Sequence, residues 1–178
     1  MNTATVTDLH GPLRRWWGYE EFRPLQERIV GSILAGRDVC VIMPTGGGKS
    51  LCYQLPAALD AGRTAVVISP LIALMQDQAA QLAQMGIPGA VLNGAQPPAE
   101  QAAVRRQVRQ GHCRLLYISP ERLARADTLA WLAEVKLSLF GIYEVHCISE
   151  WGHEFRPEYR QLGALRQQFP TVPIAAFT

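Results

Sequence analysis

A glycine-rich turn between an apolar segment and a helical segment constrains the fold of this chain more than any other feature. Asp38–Met43 is short, apolar and rich in β-branched residues, which is typical of a buried strand. Gly46–Gly48 follow it, and Lys49 and Ser50 open a helical segment, Leu51–Leu59. Glycines let several backbone N–H groups point into one cavity, and a helix N-terminus adds a favourable dipole for an anion. The sequence therefore predicts a nucleotide-phosphate site, the alternative being a glycine-rich turn with a structural role alone.

The residues that follow the glycines have the chemistry that a phosphate site requires. A lysine at position 49 can reach terminal phosphates, and the hydroxyl of Ser50 is placed to ligate Mg²⁺. The pattern G-x-x-x-x-G-K-[ST] is complete except at its first position, where the chain has Met43. The match therefore indicates a P-loop with one departure from the usual pattern.

Length and composition indicate one soluble α/β domain. The 178 residues are 48% hydrophobic and 18% charged, and the net charge of +2 is a weak indication of an anionic partner. No run approaches the roughly 18 apolar residues of a membrane span, and the N-terminus lacks the apolar core of a signal peptide. We therefore expect no membrane association and a cytoplasmic location. The four cysteines lack C-x-x-C spacing, which argues against a zinc site or a disulfide framework.

Strand and helix signals alternate along the rest of the chain. This alternation predicts right-handed βαβ units, a mostly parallel sheet with helices on both faces, and ligands at the carboxyl ends of the strands. Further strands are predicted at Thr64–Ser69, Ala90–Leu92, Arg114–Ser119, Leu137–Tyr143 and Val172–Phe177. Helices are predicted at Gln26–Leu34, Leu71–Met85, Pro98–Gln110, Pro120–Glu134 and Tyr159–Gln168.

Two predicted strands end in a Ser-Pro pair, at Ser69 and at Ser119. Such a junction places a hydroxyl and the unpaired N–H groups of a helix N-terminus at the carboxyl edge of the sheet. There they can hold the phosphates of a polymer. Helix initiation, with serine at the cap and proline at the first helical position, explains the same residues. Both interpretations stay open from the sequence.

The end of the Leu137–Tyr143 strand carries candidate catalytic residues. In P-loop ATPases this position holds an aspartate that binds Mg²⁺ and a neighbouring glutamate that polarises the attacking water. Glu144 is placed for the second role, whereas Tyr143 stands in place of the aspartate, and a neutral phenol cannot replace that charge. The alternative is that Glu144 is a solvated residue at a strand end.

A segment rich in aromatic and charged residues, Cys147–Tyr159, follows this strand. Its rings and charges alternate, and rings stack on unpaired bases while arginine contacts phosphate, which is the chemistry of single-strand binding. A packed surface loop is the alternative. The candidate residues are Trp151, His153, Phe155 and Arg156.

Taken together, these motifs resemble the RecQ family of DNA helicases from Trp17 to the last residue. The following segments carry the resemblance: Gly18–Gln26 is similar to motif 0, Met43–Ser50 to motif I, Ser69–Gln78 to motif Ia, Tyr117–Leu123 to motif Ib, and Cys147–Tyr159 to the aromatic-rich loop after motif II. The resemblance implies a RecA-like P-loop lobe over residues 17–178, with residues 1–16 as a lead-in. It also implies a monomeric 3′→5′ ATP-dependent DNA helicase of repair and recombination, located in the cytoplasm at the bacterial nucleoid.

The resemblance assigns expected roles to individual residues. Tyr19 and Arg23 would sandwich adenine, and Gln26 would bond its edge, as an amide can pair with adenine N6 and N7. Glu144 would activate water, and His146 would relay the nucleotide state towards bound DNA. The remaining contacts to ATP and Mg²⁺ would come from Thr45, Gly46, Gly47, Gly48, Lys49 and Ser50. Single-stranded or partly duplex DNA would meet Ser69, Ser119, Trp151, His153, Phe155 and Arg156.

The chain departs from the family in two respects. Motif II reads Asp-Glu-Ala-His in the family but Tyr143-Glu144-Val145-His146 here, so Mg²⁺ binding and hydrolysis should be weakened. By the resemblance, the sequence also stops at Ala175–Thr178, inside motif III. It lacks the second lobe, whose arginine finger is worth roughly 10³–10⁵ in rate in related NTPases. We therefore expect this chain alone neither to unwind DNA nor to hydrolyse ATP appreciably. The alternatives are a degenerate nucleotide- or DNA-binding module and a small-molecule kinase.

Overall fold

The computed structural model describes residues 8–144 and 163–178, which form a sheet covered by helices. In chain order the helices are α1 (His10–Trp17), α2 (Gln26–Leu34), α3 (Lys49–Leu59), α4 (Ile72–Gln84), α5 (Pro98–Arg109), α6 (Pro120–Leu123), α7 (Ala126–Leu132) and α8 (Gly163–Gln168). The strands are β1 (Val39–Val41), β2 (Thr64–Ile68), β3 (Gly89–Leu92), β4 (Leu115–Ile118), β5 (Leu137–Tyr143) and β6 (Ile174–Phe177).

The strands of the described residues pair in parallel in the order β1-β6-β5-β2-β4-β3. The central strand β2 is buried at every position, as its uninterrupted apolar run requires when helices cover both faces. On one face Val66 and Ile68 pack with residues of α5, α7 and α8, and on the other Ala65 and Val67 pack with α2, α3 and α4. The predicted parallel sheet with helices on both faces is confirmed.

A third apolar cluster attaches the start of the described chain to the helical layer. Leu9 and Leu13 pack with Val30 of α2 and with Leu51 and Leu55 of α3. Helix α1 therefore crosses the predicted boundary between residues 16 and 17. The division into a lead-in and a domain stays a prediction.

The segment that begins at Pro120 differs from the single predicted helix. It forms two short helices, α6 and α7, because Arg125 adopts an extended conformation between them (φ −73°, ψ 133°). The hydroxyl of Thr128 donates a hydrogen bond to the carbonyl oxygen of Arg122 at 2.8 Å, which ties the second helix back to the first. The predicted helix Tyr159–Gln168 falls partly outside the described residues, and its described part begins at Gly163.

The parallel direction of the strands places their carboxyl ends along one edge of the sheet. The glycine-rich turn follows β1 at this edge, and Ser69, Ser119 and Glu144 follow β2, β4 and β5. The fold thus brings together segments that are far apart in the chain. Within the described ranges, none of the helices combines the length and the apolar composition that a membrane crossing needs.

Candidate nucleotide-binding site

The backbone of the glycine-rich turn forms a compact loop between β1 and α3. The N–H of Gly47 donates to the carbonyl oxygen of Pro44 at 3.0 Å, which closes the turn. Gly46 and Gly48 have positive φ angles of 79° and 83°, in the left-handed region that side chains disfavour. Helix α3 begins at Lys49, so its first N–H groups and its positive dipole end lie at this loop.

Close packing adds a second reason for glycine at position 48. A Cβ atom there would lie 2.3 Å from the Nε2 atom of Gln26. At position 47 an added Cβ atom would lie 2.9 Å from the carbonyl oxygen of Pro44. The loop therefore needs glycine both for its backbone angles and for the approach of its neighbours.

The amino group of Lys49 lies inside the loop rather than in solvent. Lys49 is buried, and its Nζ atom donates to the carbonyl oxygen of Met43 at 3.1 Å. The same atom lies 5.9 Å from the centroid of the Tyr143 ring, within range of a cation–π contact. The charge is thus held beside the predicted phosphate position by the two strand ends that flank it.

The hydroxyl of Ser50 belongs to a buried polar chain that sequence reasoning missed. Gln78 of α4 donates from Nε2 to the Ser50 Oγ atom at 3.0 Å and accepts a bond from the Tyr53 hydroxyl at 2.7 Å. Burial raises the pKa of Tyr53 well above its usual value, so its phenol stays a hydrogen-bond donor. A signal was present, because Gln78 occupies the buried stripe of α4 between Met75 and Leu82, where an apolar residue is usual.

The predicted adenine-binding residues surround the same loop. Tyr19 is exposed, and the Arg23 guanidinium donates to the carbonyl oxygen of Gly46. The Gln26 amide is buried, donates to the carbonyl oxygen of Gly48 at 3.0 Å and accepts the N–H of Arg23 at 2.8 Å. The amide thus binds the loop itself in this structure, and a bond to adenine would have to replace these contacts.

Tyr143 and Glu144 lie at the end of β5, across from the loop. The Tyr143 ring packs edge-on against Tyr53, with the ring centroids 6.5 Å apart. Burial, together with the negative charge of Glu144, raises the pKa of the Tyr143 phenol, so the side chain is neutral near pH 7. Glu144 itself has a φ angle of 57°, and a non-glycine residue in this region carries backbone strain that is frequent at functional sites.

The donor set for Mg²⁺ is incomplete among the described residues. The Ser50 hydroxyl is a suitable oxygen ligand, and at position 143, where the family resemblance predicts a carboxylate, the chain has a neutral phenol. No group of three or more His, Cys, Asp or Glu side chains within residues 8–144 and 163–178 could hold a metal ion. The described residues therefore form no closed metal cage, and a Mg²⁺ ion at Ser50 would also need oxygen ligands from a bound nucleotide.

The two Ser-Pro junctions differ from each other. The Ser69 Oγ atom accepts the N–H of Leu71 at 3.3 Å, just before α4 begins at Ile72. Ser119 is the N-cap of α6, with Pro120 at the first helical position, but its hydroxyl makes no cap hydrogen bond. The Ser119 Oγ atom is fully buried and has no partner among the described residues. Both serines lie at the carboxyl edge of the sheet, as the sequence predicted.

Several predicted site residues lie outside the described residues. They are His146, Trp151, His153, Phe155 and Arg156, together with the whole predicted DNA-contacting segment Cys147–Tyr159. Their predicted roles in relaying the nucleotide state and in contacting DNA stay predictions.

The sequence of this chain is similar to that of known helicases. Residues 23–178 match the family model of the DEAD/DEAH box helicases. This chain belongs to the DEAD/DEAH box helicase family. Within that family it is 48% identical to the ATP-dependent DNA helicase RecQ of Pasteurella multocida, over 91% of this chain and 26% of that helicase. It is 44% identical to the RecQ helicase of Synechocystis sp., over 98% of this chain and 38% of that protein.

The resemblance of this helicase-family chain to RecQ proteins is therefore confirmed. The chain spans roughly a quarter to two fifths of the length of the curated RecQ relatives that it matches here. The fold is confirmed by the crystal structure of DUF1998 helicase MrfA bound to DNA and AMPPNP, which has a TM-score of 0.73. That structure is 23% identical and matches 100% of this chain and 26% of its own.

Proposed function

We propose that these residues form the ATP-binding lobe of a RecQ-type DNA helicase, which couples ATP hydrolysis to 3′→5′ unwinding in DNA repair and recombination. The observation that carries this proposal is the glycine loop at the start of α3, with the buried amino group of Lys49 beside it. The identity to RecQ helicases over almost the whole chain supports the choice of DNA as the substrate.

The nucleotide is proposed to bind across the loop and the segment before α2. Backbone N–H groups of Thr45–Gly48 and the Lys49 amino group would hold the phosphates. Tyr19 and Arg23 would enclose the adenine, which the exposure of the Tyr19 ring and the position of Arg23 against Gly46 support. The Gln26 amide would exchange its bond to Gly48 for one to adenine, so that base binding would loosen the loop.

Slow turnover is proposed because of the residue at position 143. Glu144 would polarise the attacking water, but the neutral Tyr143 phenol offers no charge to a metal ion. Mg²⁺ would then be held mainly by the nucleotide phosphates and by Ser50. We infer that this chain binds ATP with little dependence on Mg²⁺ and hydrolyses it slowly by itself.

DNA is proposed to cross the carboxyl edge of the sheet, as single strand or partly duplex, on a monomer located at the nucleoid. Ser69 and the start of α4 would meet its phosphates, because this helix begins at the edge. Ser119 would take part only after α6 shifts, since its side chain is fully buried. Base stacking and coupling to hydrolysis would come from Trp151, His153, Phe155 and Arg156, with His146 as the relay.

A titration with labelled ATP and ADP, with and without Mg²⁺, tests the proposal. The chain should bind both nucleotides, and Tyr143→Asp should make ATP binding dependent on Mg²⁺ because it restores a carboxylate ligand. Tyr143→Phe is the matched control, since it keeps the ring and offers no charge. Absence of nucleotide binding in all three proteins would contradict the proposal, as would DNA-stimulated ATP hydrolysis by the unaltered chain at the rate of a complete helicase.

Tyr143 also favours a second candidate function, a nucleotide- or DNA-binding module without turnover. The two functions differ in the response to Tyr143→Asp. A helicase lobe disabled at one ligand should regain Mg²⁺ dependence, whereas a module that has also lost other parts of the site should not. The same titration therefore separates them.

A further inference from the structure

An open cavity of about 490 Å³ lies between α5 and the α6–α7 segment. Helix α5 contributes Arg105 and Arg109 to its lining, and the other side contributes Arg122, Arg125 and Asp127. These helices pack on the face of the sheet opposite α3, because their apolar residues belong to the cluster of Val66 and Ile68. The α5 cavity is therefore separate from the glycine loop.

One carboxylate in the α5 cavity is shared by three guanidinium groups. Asp127 accepts a bond from Arg105 at 2.7 Å, one from Arg125 at 3.1 Å, and a two-pronged pair from Arg122 at 3.2 and 3.3 Å. Burial acts in the opposite direction, but the hydrogen bonds from Arg105 and Arg125 lower the pKa of the Asp127 carboxyl, which is ionised near neutral pH. The three arginines thus carry more positive charge than Asp127 neutralises.

The fourth arginine of the cavity does not share this carboxylate. Arg109 forms its own ion pair with Glu134, at 2.9 Å between its Nη2 atom and the Glu134 Oε2 atom. The surplus of positive charge therefore lies at Arg105, Arg122 and Arg125, along the part of the cavity around Asp127.

Two guanidinium groups that line the cavity each have a buried N–H donor without a partner among the described residues. Arg122 is only 2% exposed, and its Nε–H has no hydrogen-bond partner among the described residues. The Nε–H of Arg105 is also buried and unpartnered within the described chain. A buried donor without a partner costs free energy unless a ligand or ordered water accepts from it.

We propose that the α5 cavity binds a phosphate group, as a second anion site independent of the glycine loop. Guanidinium groups are planar forks whose paired N–H donors match two phosphate oxygens. A phosphate there would add negative charge beside three arginines that share one carboxylate. Its oxygens would accept from the buried Nε–H groups of Arg105 and Arg122 once these side chains turn into the cavity. The phosphate comes from a free anion, such as pyrophosphate, or from the backbone of a nucleic acid.

The cavity itself offers a spectroscopic reporter. The Arg105 guanidinium lies over the ring of the buried Trp131, 5.7 Å from its centroid. A ligand that draws Arg105 into the cavity should change the environment of this ring. ¹⁹F NMR of protein labelled with 5-fluorotryptophan can follow it, since the chain has only four tryptophans and Trp131→Phe identifies the resonance.

The experiment titrates Lys49→Ala protein with pyrophosphate and, separately, with a short single-stranded oligonucleotide at low ionic strength. The Lys49→Ala background removes the main phosphate contact of the glycine loop, so a shift of the Trp131 resonance reports the α5 cavity. Arg125→Gln should weaken the binding at least about fivefold, the loss of one charge-assisted contact. Arg63→Gln is the control, because Arg63 is also an exposed arginine, paired with Asp60 outside the cavity.

Each outcome decides the proposal. A saturable Trp131 shift with pyrophosphate that Arg125→Gln weakens supports a site for free anions, and the same result with the oligonucleotide alone supports a site for nucleic-acid phosphates. No shift with either ligand up to about 10 mM, a range in which even millimolar sites fill, overturns it. An equal shift in Arg125→Gln and in Arg63→Gln also overturns it. The arginines would then only stabilise the packing of α5 against α6 and α7.

Arg125 is 65% exposed, so its replacement should leave the fold intact, which thermal unfolding checks.

Discussion

The glycine loop and the α5 cavity differ in the chemical groups that each would offer to an anion. The loop is built from consecutive residues, Pro44–Lys49, and offers backbone N–H groups, a helix N-terminus and one amino group. The cavity offers guanidinium groups from α5 and from the α6–α7 segment, which are separated along the chain. A site made from consecutive backbone groups has a recognisable sequence pattern, whereas a site made from side chains of different elements has none.

The two regions also differ in how they hold their charges. In the loop a backbone carbonyl, that of Met43, holds the Lys49 amino group. In the cavity an ionised carboxylate, that of Asp127, holds Arg105, Arg122 and Arg125. We therefore expect substitutions in the cavity to affect stability through charge and those in the loop to affect it through backbone geometry.

The largest expected effect is that of Arg122→Met in the cavity. It removes a buried cation that binds both Asp127 and Thr128, and we expect the free energy of unfolding to fall by about 2–3 kcal/mol. Arg125→Met is the matched control, because this exposed arginine shares the same carboxylate, and it should cost less than about 1 kcal/mol. Urea unfolding measures both, and equal losses would show that burial does not set the strength of these pairs.

Gly48→Ala should have the next largest effect, in the glycine loop. The added methyl group requires a positive φ angle and displaces the buried Gln26 amide, so we expect a loss of about 2 kcal/mol. Gly46→Ala separates the two causes, since position 46 has the same kind of φ angle but no atom within 4 Å of an added Cβ. It should cost about 1 kcal/mol. If both variants unfold at the same urea concentration, the contact with Gln26 contributes nothing.

A smaller loss is expected for Gln78→Leu, which breaks the polar chain beneath the loop. The buried Tyr53 hydroxyl would lose Gln78 as an acceptor and keep Ser50 as its neighbour, and we expect the free energy of unfolding to fall by about 1–2 kcal/mol. Adding Tyr53→Phe removes the hydroxyl that has lost this acceptor. In a double-mutant cycle it should recover part of the lost free energy of unfolding. A double variant less stable than the sum of the two single losses would contradict this role for Gln78.

The smallest effect concerns the cysteines, which compare the edge strand β1 with the buried core. Burial raises the pKa of the Cys52 and Cys113 thiols to about 12, so both stay protonated at pH 8 and should resist a thiol reagent. Cys40 is exposed and should react first. A Cys147→Ser background is needed, because residue 147 lies outside the described residues. Fast labelling of two thiols in that background would contradict the burial of Cys52 or Cys113.

The same two thiols give the sign of one pH dependence. In the unfolded chain they ionise near the ordinary thiol pKa of 9.0, and in the folded chain burial raises this pKa to about 12. The folded state therefore holds more protons in this window, and stability should fall as the pH rises from about 9 to about 12. Urea midpoints at pH 8 and pH 10 measure this fall, which Cys113→Ala should reduce.

Local patterns were sufficient to predict most elements of the fold. Apolar runs marked β2, β4 and β5, and periodicity marked α4 and α5, with ends that differ from the structure by one residue or less. The break at Arg125 was not predictable in this way, because Thr128 and the arginines around Asp127 stabilise it through contacts between side chains. Periodicity describes one element at a time and contains no information about such contacts.

The same distinction between local patterns and tertiary contacts applies to the candidate site. Glycine spacing predicted the loop, and the end of β5 predicted the position of Glu144. The attachment of Gln26 to Gly48 and of Gln78 to Ser50 was not foreseen, since these pairs are more than twenty residues apart. Their bonds depend on how α2 and α4 pack against α3.

The sequence by itself determined the glycine loop before α3, the alternation of strands and helices, and a phenol at position 143. These properties depend on neighbouring residues, whose chemistry and spacing are readable along the chain. Only the tertiary structure decided that Lys49 lies buried against Met43 and that three arginines meet at Asp127. The physical reason is that a contact between distant residues forms when helices pack on a common sheet, and the order of the strands decides which helices become neighbours.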